Sequence, residues 1–143
     1  MHKLALILCA GLLAACAYGE PKQAVIDATT GTNATGSAST SAIAGYIDEL
    51  VLVLPTGTAV TGTVAVTAAQ PMGNSVTLAS KEIAATTLIR PRLDGTDTAG
   101  SALTSDPPGR YLSYGDTITV AVSGANTTGL TWRVWVKYDE VKK

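Results

Sequence analysis

The sequence predicts an all-β protein whose single domain is an antiparallel β-sandwich. Of its 143 residues, 21 are threonine and 14 are glycine, whereas charged residues make up only 15% and aromatic residues 5%. This composition, which is also rich in valine, favours strands with half-buried surfaces. Apolar and polar residues alternate over 60–67 and 117–123, which is typical of strands with one buried face. Turn-forming residues separate the short apolar runs at intervals of roughly ten residues, which predicts about seven to eight strands in an Ig-like or jelly-roll-like arrangement.

Residues 1–16 form an apolar, signal-like segment. Lys3 precedes an unbroken apolar run at 4–15, which is shorter than the roughly 20 residues that a membrane-spanning helix needs. The run ends in the letters LAAC, which resemble the lipobox of bacterial lipoprotein signals. In that class the signal is removed and the cysteine carries the lipid, so the resemblance implies Cys16 as the lipidation site if the segment is processed. The alternative is an apolar segment that the mature chain retains.

Residues 17–42 form a predicted arm or tether. A short apolar patch at 24–28 is a candidate edge strand, and 29–42 contains only Gly, Ser, Thr, Ala and Asn. Because these side chains offer no bulky apolar group to bury, the stretch predicts a flexible connection. We therefore expect the sandwich domain over 43–143.

The strands within 43–143 are predicted from runs of β-forming residues between turn signals. The tripeptide at 114–116 predicts a turn, and residues 94–109 predict a long polar loop. Pro91 predicts an edge or a bend, because proline cannot donate to a sheet ladder. The expected strands are 43–54, 60–67, 76–80, 86–93, 110–112, 117–123 and 132–139.

The last predicted strand places two tryptophans on opposite faces. Trp132 shares a face with Val134, whereas Trp135 shares the other face with Arg133. Since a strand of a sandwich buries one face, we expect one tryptophan in the core and the other exposed or at an interface.

Two arginines on either side of Pro91 are a candidate contact. On a strand, Arg90 and Arg92 face the same side and suit a phosphate, a sialylated glycan or a carboxylate on a neighbouring subunit. The alternative is a solubilising sheet edge. The candidate interface residues are therefore Arg90, Arg92, Trp132 and Trp135.

The composition argues against catalytic chemistry. His2 and both cysteines lie within residues 1–16, so residues 17–143 lack the histidine of a hydrolytic triad, a thiol nucleophile and the usual zinc ligands. We therefore expect that the protein is not an enzyme and binds no cofactor. The net charge of −1 also argues against a nucleic-acid partner.

Two groups of carboxylates are candidates for a site. Asp48 and Glu49 are adjacent on a strand, so they point to opposite faces and are expected to be solvated. Asp94, Asp97 and Asp106 lie in the long loop. Their carboxylates are either candidate calcium ligands or ordinary turn-forming side chains. Their spacing does not fit the EF-hand pattern, so we expect turn residues and no metal site.

Several strand and turn segments of the body together carry a family resemblance. They are residues 42–48, 60–66, 88–92, 98–100, 111–112 and 115–120. In this pattern, over about residues 40–138, the chain resembles the small β-rich accessory proteins of tailed phages and prophages. The resemblance implies a component of the virion head or tail surface, such as a capsid decoration, that contacts other structural subunits and often forms a homo-oligomer.

Two functions are therefore expected from the sequence. The first is a non-enzymatic virion accessory protein on the virion surface that acts through protein–protein assembly. The second is a lipoprotein of the outer membrane and periplasm, held by its lipid and carrying the sandwich as a binding module. The fate of residues 1–16 discriminates between them, because a retained apolar segment must be buried against partners, whereas a lipidated Cys16 anchors the domain.

Overall fold

A computed structural model describes residues 21–56, 59–93 and 109–141, and within these ranges the chain forms strands and no helix. The predicted all-β class is confirmed. In the same ranges, no helix is long and apolar enough to cross a membrane. The strands are β1 (Pro21–Thr29), β2 (Gly36–Val53), β3 (Gly62–Ala69), β4 (Ser75–Ile83), β5 (Thr87–Ile89), β6 (Arg92–Leu93), β7 (Gly109–Ser123) and β8 (Thr131–Glu140).

The strands pair in the antiparallel order β1-β8-β2-β7-β3-β4, with β5 beside β2 and β6 beside β7. β2 is the longest strand, with 18 residues. Its first part pairs with β7 and its second part with β8, so it runs through both halves of the sheet. Register shifts bend β2 along the way, and the sheet encloses one core in a sandwich-like fold.

Two parts of the predicted arm are strands of the sheet: the candidate edge strand at 24–28 is confirmed as part of β1, whereas 36–42, expected to be a flexible connection, forms the start of β2. β1 pairs with β8 along its nine residues and buries Ile26 and Ala28. β2 begins at Gly36, and its stretch of small polar residues pairs with β7. The hydroxyl oxygens of Ser39 and Thr119 lie 2.8 Å apart across these two strands. The backbone ladder and cross-strand hydroxyl pairs hold this region in the sheet. Because it contains no large apolar side chains, its composition alone predicted a flexible segment.

β7 continues through the tripeptide 114–116, where the sequence predicted a turn. The pairing of β7 with β2 shifts register between Asp116 and Tyr114, which makes this segment a β-bulge. Gly115 has a φ of 103°, a backbone conformation that a residue without a Cβ adopts readily. The bulge leaves Tyr114 exposed and Asp116 buried, so the turn-forming residues re-aim side chains without ending the strand.

Inward-facing side chains from six strands meet in one core, and Trp132 is its largest member. The alternation predicted for β8 is confirmed, because Trp132, Val134 and Val136 are all buried. Gly62 lies against the indole ring, and a Cβ added there would approach Trp132 Cη2 to 2.9 Å. The glycine on β3 therefore makes room for the ring on β8.

Pro91 separates β5 from β6, as its chemistry predicted. β5 pairs with β2, whereas β6 pairs with β7. The proline thus marks the point where the chain leaves one neighbour and joins another.

Candidate interaction surface on the outer face

Four apolar side chains line up across the outer face of the sheet, one from each of β1, β8, β2 and β5. The strand registers place Val25 opposite Trp135 and Trp135 opposite Val51. Val51 in turn lies opposite Leu88. Because directly opposed residues of antiparallel strands share a face, these four residues form a continuous row, which we call the apolar row.

The two ends of the apolar row are open to solvent. Val25 is 50% exposed and Leu88 is 53% exposed, and Trp135 and Val51 are partly buried between them. A single exposed valine or leucine is ordinary on a protein surface. A contiguous row with a tryptophan near its centre is instead typical of the central part of a protein contact.

Two cations converge on Glu49 at one side of the apolar row. Lys137 Nζ donates to Glu49 Oε1 at 2.7 Å, and Arg90 Nη2 donates to Oε2 at 3.4 Å. The Glu49 side chain is only 12% exposed, so the expectation of a solvated carboxylate is wrong for this residue. The two cations cover it, and a register shift between Ile47 and Glu49 breaks the simple alternation on which that expectation depended.

The charge state of Glu49 follows from these contacts. The hydrogen bond from Lys137 is the main cause that lowers the pKa of Glu49 from its ordinary value, burial opposes it, and Arg90 adds to the lowering. Glu49 is therefore a carboxylate at neutral pH, and the two cations that contact it leave this cluster with a net positive charge.

A second ion pair lies on the opposite side of the apolar row. Arg133 donates from Nε to Asp27 Oδ1 at 2.7 Å and from Nη2 to Oδ2 at 2.8 Å, which is the bidentate geometry of arginine with a carboxylate. The hydrogen bonds lower the pKa of Asp27 and raise the pKa of Arg133. Both groups are well exposed, so this pair orients the surface and adds little to stability.

A further apolar patch lies on the outer face beyond Glu49 and Lys137. Tyr46, Tyr114 and Val141 help to line a cleft of about 440 Å³, and Tyr114 is 79% exposed. The guanidinium of Arg110 lies 5.1 Å from the centre of the Tyr46 ring and donates to Asp139 at 2.7 Å. One aromatic wall of the cleft is thus already engaged by a cation.

The bulge beside this cleft is held by a buried network. The Tyr111 hydroxyl donates to the Asp116 carboxylate. Ser113 Oγ donates to the Ile43 carbonyl at 2.6 Å and accepts from the Asp116 backbone N–H at 3.1 Å. Burial, with the hydrogen bond to Asp116, raises the pKa of Tyr111 to about 12. These groups fix the backbone of the bulge.

The structure brings two of the sequence-predicted interface residues to the outer face and removes a third. Trp135 lies in the apolar row, and Arg90 lies beside it. Trp132 is 1% exposed in the core, so it is not an interface residue. Arg92 lies in β6, but its side chain is outside the described residues. The other predicted positions outside the described residues are Cys16, Asp94, Asp97 and Asp106.

Sequence reasoning missed Val25, Val51 and Leu88. Each is an ordinary β-forming residue in its own strand, and only the registers of four strands place them in one row. One signal was present in β1, where Val25 stands between Gln23 and Asp27 at two-residue spacing. An apolar residue in phase with polar ones on a strand points to the outer face.

No group of three or more histidine, cysteine or acidic side chains in the described ranges is placed to hold a metal ion. Comparison with protein-family models, with curated proteins and with solved structures finds no match to this chain. The function is therefore inferred from the geometry and chemistry of the outer face.

Proposed function

We propose that this protein is a non-enzymatic accessory subunit of a phage-type virion, exposed on the head or tail surface, that acts through protein–protein assembly. The observation that carries the proposal is the apolar row from Val25 to Leu88, with Trp135 inside it. Burial of this row against a neighbouring subunit removes apolar surface from water, which is the main driving force of protein association.

The setting of the apolar row supports an assembly role. Ion pairs flank the row on both sides, and the sheet beneath it is anchored in one core. A rigid apolar centre with a polar rim is the usual anatomy of a specific protein contact. The resemblance of the body to phage accessory proteins supplies the expected partner, which is another structural subunit.

The proposal is tested by fractionating a culture in which the virion and this protein are both produced. We expect the protein to band with purified particles in a density gradient, with an intact mass that begins at residue 1 and carries no lipid. The variant Trp135→Thr should be depleted from the particles, whereas Tyr114→Ser, which changes an exposed aromatic outside the apolar row, should remain. Particles that lack the wild-type protein contradict the proposal.

The second candidate function is an envelope lipoprotein that carries the sandwich as a binding module. The observation that favours it is the apolar run that ends in Cys16. If this function is correct, the mass of the isolated protein begins at a diacylated or triacylated Cys16, and Cys16→Ala releases the domain from the membrane fraction. The same fractionation therefore separates the two functions.

A further inference from the structure

We propose, building on the assembly function above, that the outer face binds the same face of a second copy of this chain about a two-fold axis. The axis runs parallel to the strands, between β8 and β2. This orientation follows from the side chains that the strand registers place on the face.

The face is a grid with the apolar row at its centre. On one side lie Lys137, Glu49 and Arg90, joined by the contacts described above. On the other side lie Asp27, Arg133 and Val53. In an isologous dimer both subunits use the same surface, so the side chains of this face must be complementary to the same side chains on the second copy.

The proposed axis packs the apolar row of one copy against the apolar row of the other. It places β8 of each copy over β2 of the other, and β1 over β5. Trp135 of each copy therefore faces Val51 of the other. Val25 of each copy then faces Leu88 of the other. A large ring opposite a small β-branched side chain permits interdigitation, and no charge enters the apolar centre.

The same axis also brings opposite charges together beside Glu49, and it places Arg133 of each copy opposite Val53 of the other. It places Lys137 of each copy opposite Glu49 of the other, so that the two clusters join into one set of two lysines, two glutamates and the two Arg90 side chains. The other in-plane axis, perpendicular to the strands, places Lys137 opposite Arg133. That orientation opposes like charges, which disfavours it.

The size of the face sets the expected strength. Four neighbouring strands and three rows of side chains cover roughly 20 Å by 20 Å, or about 400 Å² per copy. Stable specific complexes bury about 800 Å² per partner. The dimer is therefore a weak one in solution that gains strength where many copies are held close together, as on a particle.

The experiment measures self-association of the full chain by sedimentation equilibrium over a wide concentration range. Val25→Lys and Leu88→Glu change exposed positions that leave the core intact. Each single variant should associate at least roughly tenfold more weakly than wild type, because each places an unpaired charge against an apolar side chain. Met72→Lys, in the exposed turn between β3 and β4, is the matched control and should associate like wild type.

Mixing the two single variants tests the orientation. In the proposed dimer, the lysine introduced at position 25 of one variant would face the glutamate introduced at position 88 of the other. The mixture should therefore recover association, and so should the double variant Val25→Lys/Leu88→Glu. Circular dichroism and thermal unfolding of every variant report whether the fold is kept.

Two results would overturn the inference. A wild-type chain that stays monomeric at the highest attainable concentration excludes the dimer. Association that is unaffected by the single variants, or that mixing does not restore, excludes this face or this axis. Either result leaves the particle-banding experiment to decide the proposed function independently, because a subunit can bind a different virion protein.

Discussion

Lys137 and Glu49 face each other across β8 and β2, with Lys137 Nζ 2.7 Å from Glu49 Oε1. This contact keeps a largely covered carboxylate charged directly beside the apolar row. It also joins the two strands between which the proposed dimer axis runs.

The first prediction concerns the acid stability of the fold. The pKa of Glu49 is lowered in the folded protein, so its favourable contribution is complete above the ordinary glutamate pKa and is lost as pH falls through the lowered value. Glu49→Gln should therefore flatten the acid limb of stability against pH. Urea unfolding from neutral to acidic pH measures this, with Glu82→Gln, at an exposed position of β4, as the control. A Glu49→Gln curve with an unchanged acid limb contradicts the assignment.

The second prediction tests whether β1 is an integral strand. Ile26 is buried at 2% exposure, whereas its neighbour Val25 lies on the outer face. Ile26→Ala should lower the free energy of unfolding by about 2–5 kcal/mol, because it leaves a cavity in the core. Val25→Ala should cost less than about 1 kcal/mol. Chemical denaturation of both variants makes the comparison, and equal effects would indicate that β1 does not pack as described.

The third prediction concerns the fit between β3 and β8. A Cβ at Gly62 would lie 2.9 Å from Trp132 Cη2 and 3.3 Å from the Cα of Ala125. Since the indole is buried and cannot retreat, Gly62→Ala should destabilise the fold by roughly 1–3 kcal/mol through overpacking. Gly109→Ala is the matched control, because a Cβ there meets nothing within 4 Å. Thermal unfolding distinguishes the two, and a neutral Gly62→Ala would show that the ring can move.

The fourth prediction concerns alkaline pH. The pKa of Tyr111 is raised to about 12 in the folded state, compared with about 10 for an unperturbed tyrosine. The stability associated with its protonated form is complete below the unfolded value and is lost as pH rises through about 12. Ultraviolet difference absorbance should show a late tyrosinate step that disappears in Tyr111→Phe.

The same substitution has an effect at neutral pH. Tyr111→Phe removes a hydrogen bond to the buried Asp116 carboxylate and should cost roughly 1–3 kcal/mol. Tyr114→Phe, at an exposed position on the same bulge, is the control. A Tyr111→Phe protein as stable as wild type would show that Asp116 finds a replacement donor.

Local periodicity predicted much of the fold. Alternation over β3 and β8 indicated their buried faces, and it assigned the two tryptophans to opposite sides, which the burial of Trp132 and the position of Trp135 confirm. Pro91 marked the break between β5 and β6 because its chemistry is local. Such features depend only on residues close together in the chain.

The remaining features depend on pairing between distant segments. The first residues of β2 are small and polar, so only the ladder to β7 makes them a strand. Gly115 carries the same local signal in a turn and in a bulge, and the partner strand decides between them. The apolar row needed the registers of four strands at once, and a change of register by one residue in any one of them would move that strand's member to the other face.

The pairing of β1 with β8 has a mechanical consequence. Pro21 at the start of β1 lies opposite Asp139 near the end of β8, so the two outer ends of this strand pair emerge side by side. Tension applied between these two ends would break the hydrogen bonds between β1 and β8 one after another, starting at Pro21 and Asp139. It would not load all of these hydrogen bonds at the same time.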